Sequence, residues 1–162
     1  MKNNQTKQNT INIIEILKEK NQSITFAESC TGGRIASEFT SISGASSVLN
    51  GSAVTYSNEI KSQWLGVKEE TLINHGAVSS ECVKEMLEGI CKMANANYAI
   101  AVSGIAGPSG GTIEKPVGTV YIGIKTPKEI IINSYIFKGN REDIQNQATS
   151  KSIEILQKSL QS

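Results

Sequence analysis

The chain has one histidine, His75, and three cysteines, Cys30, Cys82 and Cys91, among its 162 residues. A single histidine removes the clusters from which zinc sites are built. It also leaves any Ser-His-Asp arrangement dependent on that one residue, which the sequence NHGAV places in a turn. An odd set of cysteines without CxxC spacing indicates neither a disulfide framework nor a zinc knuckle, so all three read as reduced thiols. Neither a metal nor a cofactor is expected. An excess of charge of one sign is missing too. The 16 Lys and Arg stand against 15 Asp and Glu, with no long run of either, whereas a nucleic-acid or membrane-surface protein shows a basic stripe or face. The first ten residues, MKNNQTKQNT, lack the apolar stretch of a secretory signal, and no later segment is long enough to span a bilayer. The expectation is a cytoplasmic enzyme or binding domain with a small-molecule partner, no nucleic acid and no membrane.

What is present fits one domain, since a chain of this length buries roughly 70% of its unfolded surface in a single core. Residues 1–10 read as a polar, disordered start and 11–162 as the domain. Ile13, Ile14 and Leu17 fall at helical spacing. Ile24 to Ala27 is a short strand, and a helix follows the small-residue turn 28–33. Ser57 or Asn58 can cap a helix after the run Ala53–Tyr56, and Ser79 or Ser80 can cap a longer one with Val83, Met86, Leu87 and Ile90 on one face. NYAIAVS, 97–103, is apolar enough to be a central strand covered on both faces. Val117–Lys125 and Ile130–Phe137, joined by TPKE, read as an antiparallel hairpin, and Arg141–Leu160 as a closing helix. Alternating strands and helices with a terminal hairpin predict an α/β fold, a three-layer α/β/α single domain with a mixed sheet and helices on both faces.

Three stretches carry candidate chemistry. In SGASSVLNGSAVTYSNEIK, 43–61, Tyr56 at a strand end and Lys61 on the next helix face the crevice outside the carboxyl ends of the strands. Ser46 precedes that strand and reaches them only through the fold. By spacing alone the segment also reads as capping serines, a packed tyrosine and a solvated lysine. In ESCTGG, 28–33, two glycines at a helix start let a ligand approach the backbone, and the free amides there favour an anion, which makes Thr31 and Gly32 candidate substrate contacts; the stretch reads equally as a tight turn of small residues. The glycine-rich loop from Gly104 to Gly111, after Ser103, can form a concave anion site. Arg141 at the start of the last helix is a plausible phosphate or carboxylate clamp.

Together AESCTGG (27–33), VTYSNEIK (54–61), HGAVS (75–79) and SGIAGPSGGTIEKPVGTVY (103–121) resemble the CinA carboxyl-terminal domain family, in its stand-alone, PncC-type form, over nearly the whole chain. That resemblance implies a nicotinamide-nucleotide amidase of pyridine nucleotide salvage that hydrolyses nicotinamide mononucleotide to nicotinate mononucleotide and ammonia without metal. By the family's motifs the implied nucleophile is Ser46, activated by Lys61 and Tyr56, with substrate contacts at Ser29, Ser103 and Arg141. Ser109 and Asn140 depart from the commoner family pattern without touching the three implied catalytic residues. A homodimer is a loose expectation for a chain of this size. Two rivals stand beside this reading. Cys30, in a polar turn at a helix start, could serve a thiol amidase. Alternatively the domain is a catalytically silent nucleotide-binding or competence-associated module.

Overall fold

The computed structural model describes the backbone of residues 2–161 and the side chains of residues 4–161. Its five strands are β1 (Ile24–Glu28), β2 (Leu49–Val54), β3 (Tyr98–Gly104), β4 (Thr119–Lys125) and β5 (Ile130–Ile136), in the spatial order β2-β1-β3-β4-β5. β1 runs parallel to β2 and β3, whereas β4 is antiparallel to β3 and β5 antiparallel to β4. The sheet is therefore mixed, as expected. The carboxyl ends of β1, β2, β3 and β5 share one edge with the amino end of β4.

Helices cover both faces. On one side α1 (Lys2–Lys20), α2 (Arg34–Thr40) and α6 (Arg141–Gln161) enclose a core containing Ile13, Leu17, Phe26, Phe39, Ile100 and Leu156. On the other, α3 (Asn58–Leu65), α4 (Glu69–His75) and α5 (Ser80–Ala94) pack Leu65, Val83, Met86, Leu87 and Ile90 against Ala99 and Ala101. Buried on both faces, β3 needs apolar side chains on both, hence its continuous run. Helices α3 and α5 are capped as their sequences suggest. Ser57 Oγ accepts from the Ile60 amide at 3.1 Å and Ser79 Oγ from the Cys82 amide at 3.2 Å.

One expectation changes. The polar start is helical from Lys2 onward, and Met1 lies outside the described residues. Thr6, Asn9 and Thr10 are buried, and Thr6 Oγ1 donates to Ser150 Oγ of α6 at 3.0 Å. A helix seam made by polar side chains against polar side chains leaves no apolar periodicity for a sequence reading to find.

Candidate active site

β1 ends on a carboxylate that never reaches solvent. Glu28 is fully buried, and its Oε1 accepts from Thr31 Oγ1 at 2.6 Å and from the Gly33 and Ile35 amides at 3.2 and 3.0 Å, while Oε2 accepts from the Ala36 amide at 3.0 Å. The first amides of a helix need acceptors, and here the protein's own anion supplies them. This corrects the expectation that those amides wait for a ligand. Thr31 is buried on Glu28 and Gly32 is exposed, and neither lines the pocket described below. What the bracing by Glu28 does is fix the turn that carries Ser29. Nothing in the motif reading singled Glu28 out, although an acidic residue closing a strand just before a glycine turn and a helix was a visible signal.

Beside Ser29 lies Lys61. Its side chain is 1% exposed, and Nζ donates to Ser29 Oγ at 3.2 Å and to the main-chain oxygen of Tyr56 at 2.9 Å. Burial pushes the Lys61 ammonium below the usual lysine range, and the neighbouring Cys82 and Cys30 thiols only partly oppose that shift. A pocket of about 190 Å³ opens over the pair, with Cys30, Tyr56, Ala77, Val78, Ser103 and Arg141 in its walls. Ser103 and Gly104 come from the end of β3, Arg141 from the first turn of α6, and Tyr56 from the junction after β2. All of them stand at the edge where the carboxyl ends of the parallel strands meet, the ligand-binding edge of open α/β sheets. A larger cleft of about 610 Å³ between α1 and α6 holds Lys151, already paired with Glu154 at 3.4 Å, and gathers no comparable nucleophile and base.

Ser46 is not in this group. It is exposed on a single 3-10 turn, Ala45–Ser47, that leads into the amino end of β2, whereas Tyr56 and Lys61 follow its carboxyl end. The five steps from Leu49 to Val54 span about 17 Å. Ser46 therefore sits at the opposite edge of the sheet from Lys61. Tyr56 is displaced in a subtler way. Its phenol is 58% exposed and accepts from Arg141 Nη2 at 2.8 Å, so its link to Lys61 runs through its backbone carbonyl and not its hydroxyl. Arg141 Nη1 also donates to the Gly107 oxygen at 2.6 Å, tying the glycine-rich loop to α6.

Cys30 loses its claim as a nucleophile. Burial, the largest cause, raises its thiol to about 12, against smaller lowering by its own backbone hydrogen bond and by Lys61 and Arg141. A thiol held there is not a thiolate at neutral pH. Cys82 and Cys91 are likewise buried on α5 and raised by burial.

Fold and pocket together define a three-layer α/β/α domain with a serine–lysine pair at the carboxyl edge of its sheet. Residues 6–160 match the model of the CinA C-terminal domain, and the chain belongs to that family. It is 50% identical over 145 residues to a CinA-like protein of Endomicrobium trichonymphae, covering 90% of this chain and 34% of that protein. With the CinA-like protein of Thermotoga maritima the identity is 47% over 148 residues, covering 91% and 36%. The chain thus spans about a third of the length of the curated relatives it matches. Solved structures match it along nearly their full length. The competence damage-inducible protein A of Klebsiella pneumoniae superposes with a TM-score of 0.92 at 35% identity over 96% of both chains. The competence/damage inducible protein CihA of Agrobacterium tumefaciens does so with 0.93 at 36%, over 97% of this chain and 96% of that one.

Proposed function

We propose that this chain is an amidohydrolase that deamidates nicotinamide mononucleotide, with Ser29 as the nucleophile and Lys61 as its base. The observation that carries the reading is the 3.2 Å contact between Lys61 Nζ and Ser29 Oγ at the floor of the pocket. A serine hydroxyl needs a base at neutral pH, and a lysine serves when desolvation lowers its ammonium pKa. Once neutral, Lys61 keeps one N–H on the Tyr56 carbonyl and turns its lone pair to the Ser29 hydroxyl. Ser29 Oγ then bonds to the carboxamide carbon as its proton passes to Nζ, leaving a tetrahedral oxyanion. The Cys30 main-chain N–H, which adjoins the attacking oxygen along the chain, then turns to receive that charge. Collapse breaks the C–N bond, Lys61 returns the proton to the departing ammonia, and water releases the acid from the acyl-Ser29 by the reverse sequence.

The pocket is small beside the 300–1,000 Å³ of typical ligand sites, which suits an aromatic ring with its carboxamide and leaves ribose and phosphate toward the mouth. Arg141 stands at that mouth for the phosphate. The exposed Tyr56 ring offers a face to a cationic pyridinium, worth about 0.5–1 kcal/mol at an exposed site. The choice of this nucleotide rests on the motif resemblance, to which these features add support.

The test follows ammonia and nicotinate mononucleotide from wild type, Ser29→Ala and Ser46→Ala, without added metal. Ser29→Ala is expected to lose about 10³-fold or more in kcat, as removal of a nucleophile does, and Ser46→Ala to keep the wild-type rate. A surviving Ser29→Ala rate, or a dead Ser46→Ala, overturns the assignment. Tight nucleotide binding by the wild type with no ammonia would leave a binding module.

A further inference from the structure

One cation near the pocket has no part in that scheme. Lys115, in the long loop between β3 and β4, donates from Nζ to the His75 oxygen at 3.0 Å and to the Val78 oxygen at 2.6 Å. Neither partner is a carboxylate. His75 closes α4 and Val78 lies on its connection to α5, which supplies Ala77 and Val78 to one wall of the pocket. The other wall, Ser103, Gly104 and Ala106, belongs to the strand and loop from which Lys115 reaches across. Lys115 therefore spans two walls that lie well apart along the chain.

The loop is stiff enough to transmit that hold. Thr112 and Lys115 close a turn on each other, the Thr112 amide to the Lys115 oxygen at 2.8 Å and the Lys115 amide to Thr112 Oγ1 at 3.0 Å. Further back the loop packs on Val117 so closely that a Cβ on Gly107 would run into its Cγ1 and one on Gly111 would come within 2.7 Å of its nitrogen. Arg141 pins the loop at Gly107, as described, and Lys115 pins it at the far end. The facing wall is also braced, since Ser79 caps α5 and its Oγ donates to the Gly76 oxygen at 2.8 Å. An ammonium suits this place because its three donors can diverge onto two carbonyls, where the flat guanidinium fork fits paired acceptors.

We infer that Lys115 is a positioning residue that fixes the width of the pocket and so holds the ring of the substrate against Ser29. This rests on the proposed deamidation. A bland alternative is that Lys115 merely satisfies the last carbonyl of α4 and contributes stability alone. The two differ in what they do to substrate choice.

The test compares wild type with Lys115→Met and Lys115→Arg on nicotinamide mononucleotide and on a ring-methylated analogue. With the pocket slackened, kcat of Lys115→Met on the parent nucleotide is expected to fall about 10²-fold, as a misplacement near 1 Å does, with KM unchanged because Arg141 still meets the phosphate. The preference for the parent over the methylated ring is expected to shrink at the same time, and Lys115→Arg is expected not to restore it. Hydrogen exchange, which needs no turnover, is expected to quicken together at residues 76–79 and 105–112 in Lys115→Met and to leave 34–40 unchanged. Wild-type turnover with unaltered kcat and selectivity in Lys115→Met overturns the positioning role, as does exchange that quickens at only one of the two segments. Paired quickening in Lys115→Met, beside a wild type that releases no ammonia, would overturn the reaction and leave the clamp standing.

Discussion

A lysine with almost no exposed surface and no carboxylate beside it has to be stabilised some other way or lose its proton. Among the described residues Lys61 has only a hydroxyl and a carbonyl as partners. The sign of its effect on stability follows. Below its lowered pKa Lys61 is charged in both folded and unfolded chains and carries the full desolvation cost. From that pKa up to the usual lysine value of 10.5 the unfolded chain still holds the proton and the folded one does not, so stability rises with pH, and above 10.5 it levels off. Lys61→Met removes that slope. At pH 7 it gives up two hydrogen bonds of about 0.5–1.5 kcal/mol each and recovers a desolvation cost of about 1.4 kcal/mol for each tenfold loss of proton affinity. The two effects oppose each other. The variant is expected to lose stability in urea relative to wild type as pH rises from 7 toward 10, and to lose deamidation at both. Parallel urea curves for the two proteins at all pH values would mean that Lys61 is not held below the normal range. The wild-type rate is expected to rise with pH through the same lowered pKa, as the free amine forms.

At the scale of elements, the position of Lys61 depends on how closely α3 lies on α5. Gly89, in the middle of α5, makes that closeness available. A Cβ there would sit on the Leu65 carbonyl oxygen and within 2.8 Å of the Leu65 Cα, at the last residue of α3. Alanine in place of glycine normally stabilises a helix interior by about 0.8–1.0 kcal/mol. Here the collision opposes it, at the about 1–3 kcal/mol typical of overpacking. Gly89→Ala is therefore expected to lower stability on balance and to move the helix that carries Lys61, cutting kcat by about 10²-fold at temperatures where the variant is fully folded. A variant as stable and as active as wild type would show that α3 yields at no cost. Most elements were legible in the sequence for reasons that belong to single elements. The apolar stripe of α5, the caps Ser57 and Ser79, the buried run of β3 and the β4–β5 hairpin each follow from local spacing or local hydrogen bonding. Strand order was not, because nothing local says that β1 lies between β2 and β3. The choice between Ser46 and Ser29 depended on direction along a strand, not on residue type. Both serines adjoin strands, but Ser46 precedes β2 and Ser29 follows β1, and in a parallel sheet only the second lies at the carboxyl edge. That distinction was available from the sequence once the strands were taken as parallel.

For the whole molecule, the sheet separates two apolar cores and brings its chemistry to one edge, so the pocket draws on β1, β3, the start of α3, the turn before α5 and the start of α6 in a single chain. Helix α6 gives Arg141 to that edge and packs against α1, which links the first described helix of the chain to the last wall of the site. Every residue of the proposed scheme comes from one copy. The proposed deamidation is therefore expected to keep a constant specific activity as the protein is diluted from micromolar to low nanomolar concentration, even if light scattering shows a dimer at the upper end. The outcome bears directly on Ser46. It is exposed at the amino edge of the sheet, about a strand's length from Lys61, and no movement within one chain brings the two together without breaking the β1–β2 pairing. A second copy could bring its own Ser46 to the pocket, with Tyr56, 58% exposed at the mouth, as the first surface to meet it. Activity that falls on dilution in step with dissociation would show that a partner contributes to the site. Loss of activity in Ser46→Ala, restored by mixing it with Ser29→Ala, would then identify the group that crosses between copies. Constant activity, together with a silent Ser29→Ala and an active Ser46→Ala, leaves the whole reaction to the edge where Lys61 is buried.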